Sequence, residues 1–136
     1  MEKRILLIEE DEKIYLTMKN ILKILESTVD FKISLDYIKT FNEAKIKLKK
    51  YKYDLLIFEF FIKDITTESF LLEVKEKYQD TKINILTSIR DYAILKKLLK
   101  SGASRIIYKP LSYNDILVNI KENLFKSNIN KELQNV

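Results

Sequence analysis

The sequence predicts an α/β protein built on an open, doubly wound, five-stranded parallel sheet with five helices. Two observations carry that expectation. Short apolar runs, only long enough for strands, alternate with longer stretches of helical period, and the alternation repeats five times along 136 residues. Three of the helical stretches also open on a hydroxyl residue followed three positions later by an acid, which marks helix starts. Repeated strand-then-helix units imply a parallel sheet covered on both faces, and right-handed crossovers wind it open.

The elements follow in order. Ile5 to Ile8 is a continuous apolar run, the pattern of a strand buried on both faces. Ile14, Met18, Ile21, Leu22 and Leu25 recur at helical spacing. Phe31, Ile33 and Leu35 alternate with Lys32, Ser34 and Asp36, as on an edge strand with one wet face. Thr40 and Glu43 form a capping box for a helix through Phe41, Ala44, Leu48 and Tyr51. Leu55 to Phe58 is the third strand, and Thr67 to Tyr78 the third helix, with Phe70, Leu71, Val74 and Tyr78 inward. Ile83 to Leu86 is the fourth strand. Ser88 and Asp91 are read as the next box, and that helix runs through Ile94, Leu95, Leu98 and Leu99 until Gly102 stops it. Arg105 to Tyr108 is the fifth strand. Ser112 and Asp115 open the last helix, with Ile116, Leu117, Ile120 and Leu124 inward. Residues 1–126 form one domain, and 127–136, polar and Asn-rich, are a C-terminal tail or the start of a linker.

Composition removes whole classes of chemistry. With no histidine and no cysteine, His-paired nucleophiles, His/Cys zinc sites and disulfides cannot be written. One glycine, Gly102, excludes both the dinucleotide fingerprint and the P-loop. No run approaches the roughly 18 apolar residues of a membrane span, and no signal peptide is legible. A cytoplasmic location without membrane contact is expected. The net charge is +5. The densest basic cluster is Lys45, Lys47, Lys49, Lys50 and Lys52, which reads as a solvated helix face.

In open parallel sheets, sites form at the carboxyl ends of the strands. Those ends carry Glu9-Glu10-Asp11-Glu12, then Glu59, then Thr87-Ser88, then Lys109-Pro110. Carboxylates of this kind suit an oxygen-liganded divalent cation, while a hydroxyl and an ammonium suit phosphoryl oxygens. Each residue alone has a plainer reading: helix-start acids favoured by the dipole, a loop acid, a strand-end threonine, one lysine of many. Specificity lies in the combination.

From Arg4 to about Lys126 the chain resembles the receiver domains of two-component response regulators. Ile5 to Glu12 looks like that family's first strand and acidic pair, Glu9 and Glu10. Tyr53 to Glu59 looks like the third strand ending at the phosphoacceptor. Thr87 matches the switch hydroxyl, Lys109 the family's lysine, and Pro110 the proline after it. The resemblance implies the flavodoxin-like strand order 2-1-3-4-5, a cis Lys109–Pro110 bond, and Mg²⁺ on Glu9, Glu10 and Glu59 if metal is bound. It implies protein partners, a sensor kinase or an output domain, and a homodimer through the helix 4–strand 5–helix 5 face. Nucleic acid is expected only through an output domain outside these residues.

The departures cluster at the site. The acceptor aspartate is Glu59, the second acid is Glu10, Lys63 and Thr67 replace a proline and a glycine, and the switch aromatic is Ile106. Lengthening Glu10 and Glu59 by a methylene moves each carboxylate by about one C–C bond, ~1.5 Å. Mg²⁺ demands near-ideal octahedral geometry. The longer Glu59 reaches toward the phosphoryl position and can meet Lys109 and Thr87 directly, and Lys63 can supply a second cation. The expectation is therefore an atypical receiver, a non-enzymatic interaction module that signals without aspartyl phosphorylation and with no cofactor. The alternative is a working Mg²⁺-dependent phosphoacceptor. A flavin or nucleotide binder on the same fold is disfavoured, because four acids after the first strand repel phosphate.

Overall fold

The computed structural model describes residues 1–62 and 64–134, with side chains through residue 124. The chain runs β1 (Glu2–Ile8), α1 (Glu12–Glu26), β2 (Lys32–Ile38), α2 (Phe41–Lys50), β3 (Leu55–Glu59), α3 (Thr67–Lys77), β4 (Lys82–Thr87), α4 (Tyr92–Lys100), β5 (Arg105–Tyr108) and α5 (Tyr113–Gln134). The strands form one parallel sheet in the order β2-β1-β3-β4-β5, as expected.

Side chains of alternate strand residues enter opposite layers. Leu6, Ile8, Leu56, Phe58, Ile83 and Ile85 pack against α2 and α3. Ile5, Leu7, Leu55, Ile57, Leu86 and Ile107 pack against α1 and α5. Next to the strand ends, Phe41 stacks on Phe70 at 4.2 Å, and both rings meet Phe58 edge-on. All three are fully buried. Each contributes about 1.5–3 kcal/mol by leaving water. Phe58 directly precedes Glu59, so the backbone that presents the Glu59 carboxylate is held from below.

The structure extends or shifts several elements. β1 begins at Glu2, not Ile5, because its polar start pairs with the edge strand, Glu2 opposite Lys32. The apolar run marked only the part buried on both faces. β2 is half-buried along most of its length rather than wet on one face. On the nominally wet side, Asp36 accepts a hydrogen bond from the Tyr53 hydroxyl at 2.5 Å. Ser88 does not open α4. The N-cap is Asp91, whose carboxylate accepts from Ala93 and Ile94 N–H at 2.9 and 3.4 Å. The acid read as the far end of the box is itself the cap, and one carboxylate oxygen serves two orphan amides. Leu117 is only half-buried, and Leu99 faces largely outward. Gly102 ends α4 with φ +120°, and a Cβ there would lie 2.6 Å from Lys75 Cγ, so both backbone and space require glycine.

α5 continues across residue 126 as a helix to Gln134.

Candidate functional site

The carboxyl ends of β1, β3, β4 and β5 meet at one edge of the sheet, and among the described residues two carboxylates there converge on one ammonium. Glu9 follows β1, and its N–H donates to Ile38 O at 3.0 Å. That pairing extends the strand and turns the Glu9 side chain inward, leaving it 2% exposed. Glu59 ends β3 and is 8% exposed. Lys109 follows β5, with its N–H on Thr87 O at 2.9 Å and a cis bond to Pro110. Lys109 Nζ lies 3.0 Å from Glu9 Oε2 and 2.5 Å from Glu59 Oε2. The second contact is an ion pair, not an aligned hydrogen bond, since among the described residues no donor points squarely at Glu59 Oε2. The other carboxylate oxygens are held by backbone. Asp11 N–H donates to Glu9 Oε1 at 3.1 Å, and Phe61 N–H reaches Glu59 Oε1 at 3.4 Å.

The electrostatics follow from one cation serving two acids. Burial pushes the Glu9 carboxyl above its ordinary value. The Asp11 amide and the Lys109 ammonium pull it back down, and the neighbouring Glu59 charge adds to the rise. Burial works against the Lys109 charge, but contacts with Glu59 and then Glu9 outweigh it and hold the lysine above its usual value. Both directions agree. The ammonium is over-supplied with partners, and each carboxylate has only a share of it.

Not every residue picked from the sequence joins this cluster. Glu10 is exposed and takes no part. Thr87 is fully buried, and its hydroxyl accepts from Ile89 N–H at 3.0 Å instead of reaching Glu59. Ile106 is half-buried against the α2–α3 layer. Lys63 lies outside the described residues. Among those that are described, no three acidic side chains converge as a metal-binding group.

Three residues gain site-linked contacts that sequence reasoning missed. Thr67, read as the start of the third helix and as the replacement of a glycine, donates a short hydrogen bond to Phe60 O and pins the loop after Glu59. Asp64, in the same loop, accepts from Phe41 and Asn42 N–H at 3.1 and 2.9 Å, so it caps α2 alongside Thr40. Arg90 donates to Lys109 O at 3.1 Å and lies over the Tyr108 ring at 4.2 Å, which clips the β4–α4 loop to the end of β5. Asp64 is an acid in a loop after a strand end, and nothing in its sequence neighbourhood points to α2. Its partner lay more than twenty positions away.

The model of the response regulator receiver domain family matches residues 5–121. The chain belongs to that family. The receiver domain also resembles a probable C4-dicarboxylate response regulator DctR of Halalkalibacterium halodurans, at 27% identity over 74 residues, or 54% of this chain. It spans about a third of that relative's length, 32%. Among solved structures it is similar to a two-component response regulator from Clostridium difficile, with TM-score 0.82 and 24% identity. That match covers 93% of this chain and 98% of the other. The beryllofluoride-activated NtrC4 receiver domain dimer matches with TM-score 0.81 and 24% identity over 90% of this chain and 97% of that one. Likeness at these identities concerns the fold. No helix among the described residues is long and apolar enough to cross a membrane.

Proposed function

We propose that this receiver domain signals without aspartyl phosphorylation, with the Glu59 carboxylate standing in for an acceptor carboxylate already engaged by the site lysine. The observation that carries the reading is Lys109 Nζ, 2.5 Å from Glu59 and 3.0 Å from Glu9. Glu59 contributes one negative charge where a phosphoryl group would bring nearly two. That is partial mimicry of the modified state, and Lys109 is the group that reads it.

The same geometry argues against Mg²⁺ here. A cation bridging Glu9 and Glu59 would compete with the ammonium for their charge, and Glu10 is turned out to water. The residues do not fit an octahedral hexacoordinate ion. The domain then works as an interaction module, not an enzyme. Its partners are a sensor kinase or an output domain, with regulation of transcription as the output. Tyr92, Leu99, Tyr108, Tyr113 and Val118 are exposed on α4, β5 and α5, and they offer an apolar, tyrosine-rich face for a partner or a second copy.

The test is incubation with acetyl phosphate and Mg²⁺, read by intact mass. No adduct is expected. A labile gain of one phosphoryl group, abolished in Glu59→Ala, overturns the proposal and establishes the phosphoacceptor reading instead.

A further inference from the structure

The end of the domain opposite Lys109 carries a basic cleft that the signalling reading leaves unused. The α2–β3 and α3–β4 turns enclose a cleft of about 390 Å³, lined on its working side by Lys49, Lys50, Lys52, Lys77, Tyr51 and Tyr78. Asp80 is the one acid in its wall. Arg4 adds a guanidinium stacked on the Tyr51 ring at 4.3 Å, and the ammonium groups of Lys47 and Lys50 lie 5.6 and 5.7 Å from the same ring.

These cations are short of anions. Lys45 and Lys77 both use Glu73. Among the described residues, Arg4, Lys47, Lys49, Lys50 and Lys52 have no carboxylate within ion-pair distance, and the buried Arg4 Nε–H has no hydrogen-bond partner.

The plain account is that lysines gather at helix C-termini, since α2 and α3 both end here. Two helix ends contribute about one negative charge between them. That does not balance five unpaired cations, and Arg4 and Lys52 lie outside the helices. Unpaired lysines beside half-buried tyrosines suit single-stranded nucleic acid: the cations track phosphates, and the ring surface left open by the core and by Arg4 is available to a base. An anionic membrane surface offers the same phosphate chemistry without unstacked bases for the tyrosines, and vesicles separate the two in the test below.

We propose that this cleft binds a short stretch of single-stranded nucleic acid through its phosphates and bases. The proposal revises the solvated-face reading of the Lys45–Lys52 cluster and is independent of how the Glu59 edge signals.

The experiment is fluorescence anisotropy of a labelled oligothymidylate of about 12 nucleotides at low salt, within the site sizes such grooves cover. It compares the wild type with Lys49→Glu/Lys50→Glu/Lys52→Glu and with the charge-matched control Lys96→Glu/Lys97→Glu/Lys100→Glu on α4. Thermal melts confirm that both variants fold. Binding is expected to weaken with rising salt, with a logarithmic slope of about −0.7 per phosphate contacted. The cleft variant should lose more than about tenfold in affinity and about two units of slope, while the control loses less than about threefold. Thymidine monophosphate and phosphatidylserine vesicles complete the set. Competition by the mononucleotide stronger than that of equal inorganic phosphate supports a contact with the base. No binding of the oligonucleotide, equal loss in both variants, or binding to vesicles alone overturns the proposal.

Discussion

Replacing Lys109 with methionine tests the charge cluster directly, since the side chain keeps its apolar stem and loses only the ammonium. Glu9 Oε2 and Glu59 Oε2 are 3.0 and 2.5 Å from the same nitrogen, so they are no more than about 5.5 Å apart. At an effective dielectric near 20, two bare charges at that distance repel by roughly 3 kcal/mol. The attraction lost with the ammonium is partly offset by the desolvation that no longer opposes it. Breaking a buried charge cluster this way costs about 3–5 kcal/mol. Lys109→Met should lose that much at pH 7 in urea unfolding, with the slope unchanged.

The pH dependence has a definite sign. Glu9 has a folded value above its unfolded one, so its protonation favours the fold. That benefit is full below the ordinary carboxylate value and fades as pH rises through the folded value. Without the ammonium the folded value rises further, so the deficit of Lys109→Met should shrink as pH falls toward 4. Lys109 itself has a raised value. Its contribution is therefore full below the usual lysine value and is lost as pH climbs through the raised one. The wild type and Lys109→Met should accordingly converge at strongly alkaline pH. Glu9→Gln in the Lys109→Met background removes one of the two opposed charges and should recover at least half of the loss. A deficit under about 1 kcal/mol at pH 7, or one that does not shrink on acidification, refutes the reasoning.

Two further perturbations probe the surroundings of the site. Asn84 is completely buried on β4, and among the described residues both polar atoms of its amide lack partners, so Asn84→Leu should raise stability by about 1–3 kcal/mol in thermal or urea unfolding. A loss instead would mean the amide is satisfied by buried water. Asp64→Ala frees two amides at the start of α2 and should cost about 1–2 kcal/mol, with faster amide exchange at Phe41 and Asn42 as the local readout. Unchanged exchange there would show that Thr40 alone caps the helix.

The alternation of apolar runs and helical stretches was sufficient for the architecture, because burial on both faces of a parallel strand leaves a mark that needs no knowledge of neighbours. The strand ends were legible for the same reason. In a parallel sheet all carboxyl ends share one edge, so Glu9, Glu59, Thr87 and Lys109 had to lie near one another. Spacing does not encode which of them touch. That depends on where each side chain points once the sheet twists and the loops close, and only the tertiary structure decided that Lys109 bridges Glu9 and Glu59 while Glu10 turns to water and Thr87 bonds Ile89. Asp64 on α2 and Arg90 on Tyr108 were hidden for the same cause: a polar side chain's partner across a fold is chosen by geometry, and its own sequence neighbourhood carries no trace of it. Likewise, lysines strung along one helix read as a solvated face until packing set two tyrosines and an arginine beside them.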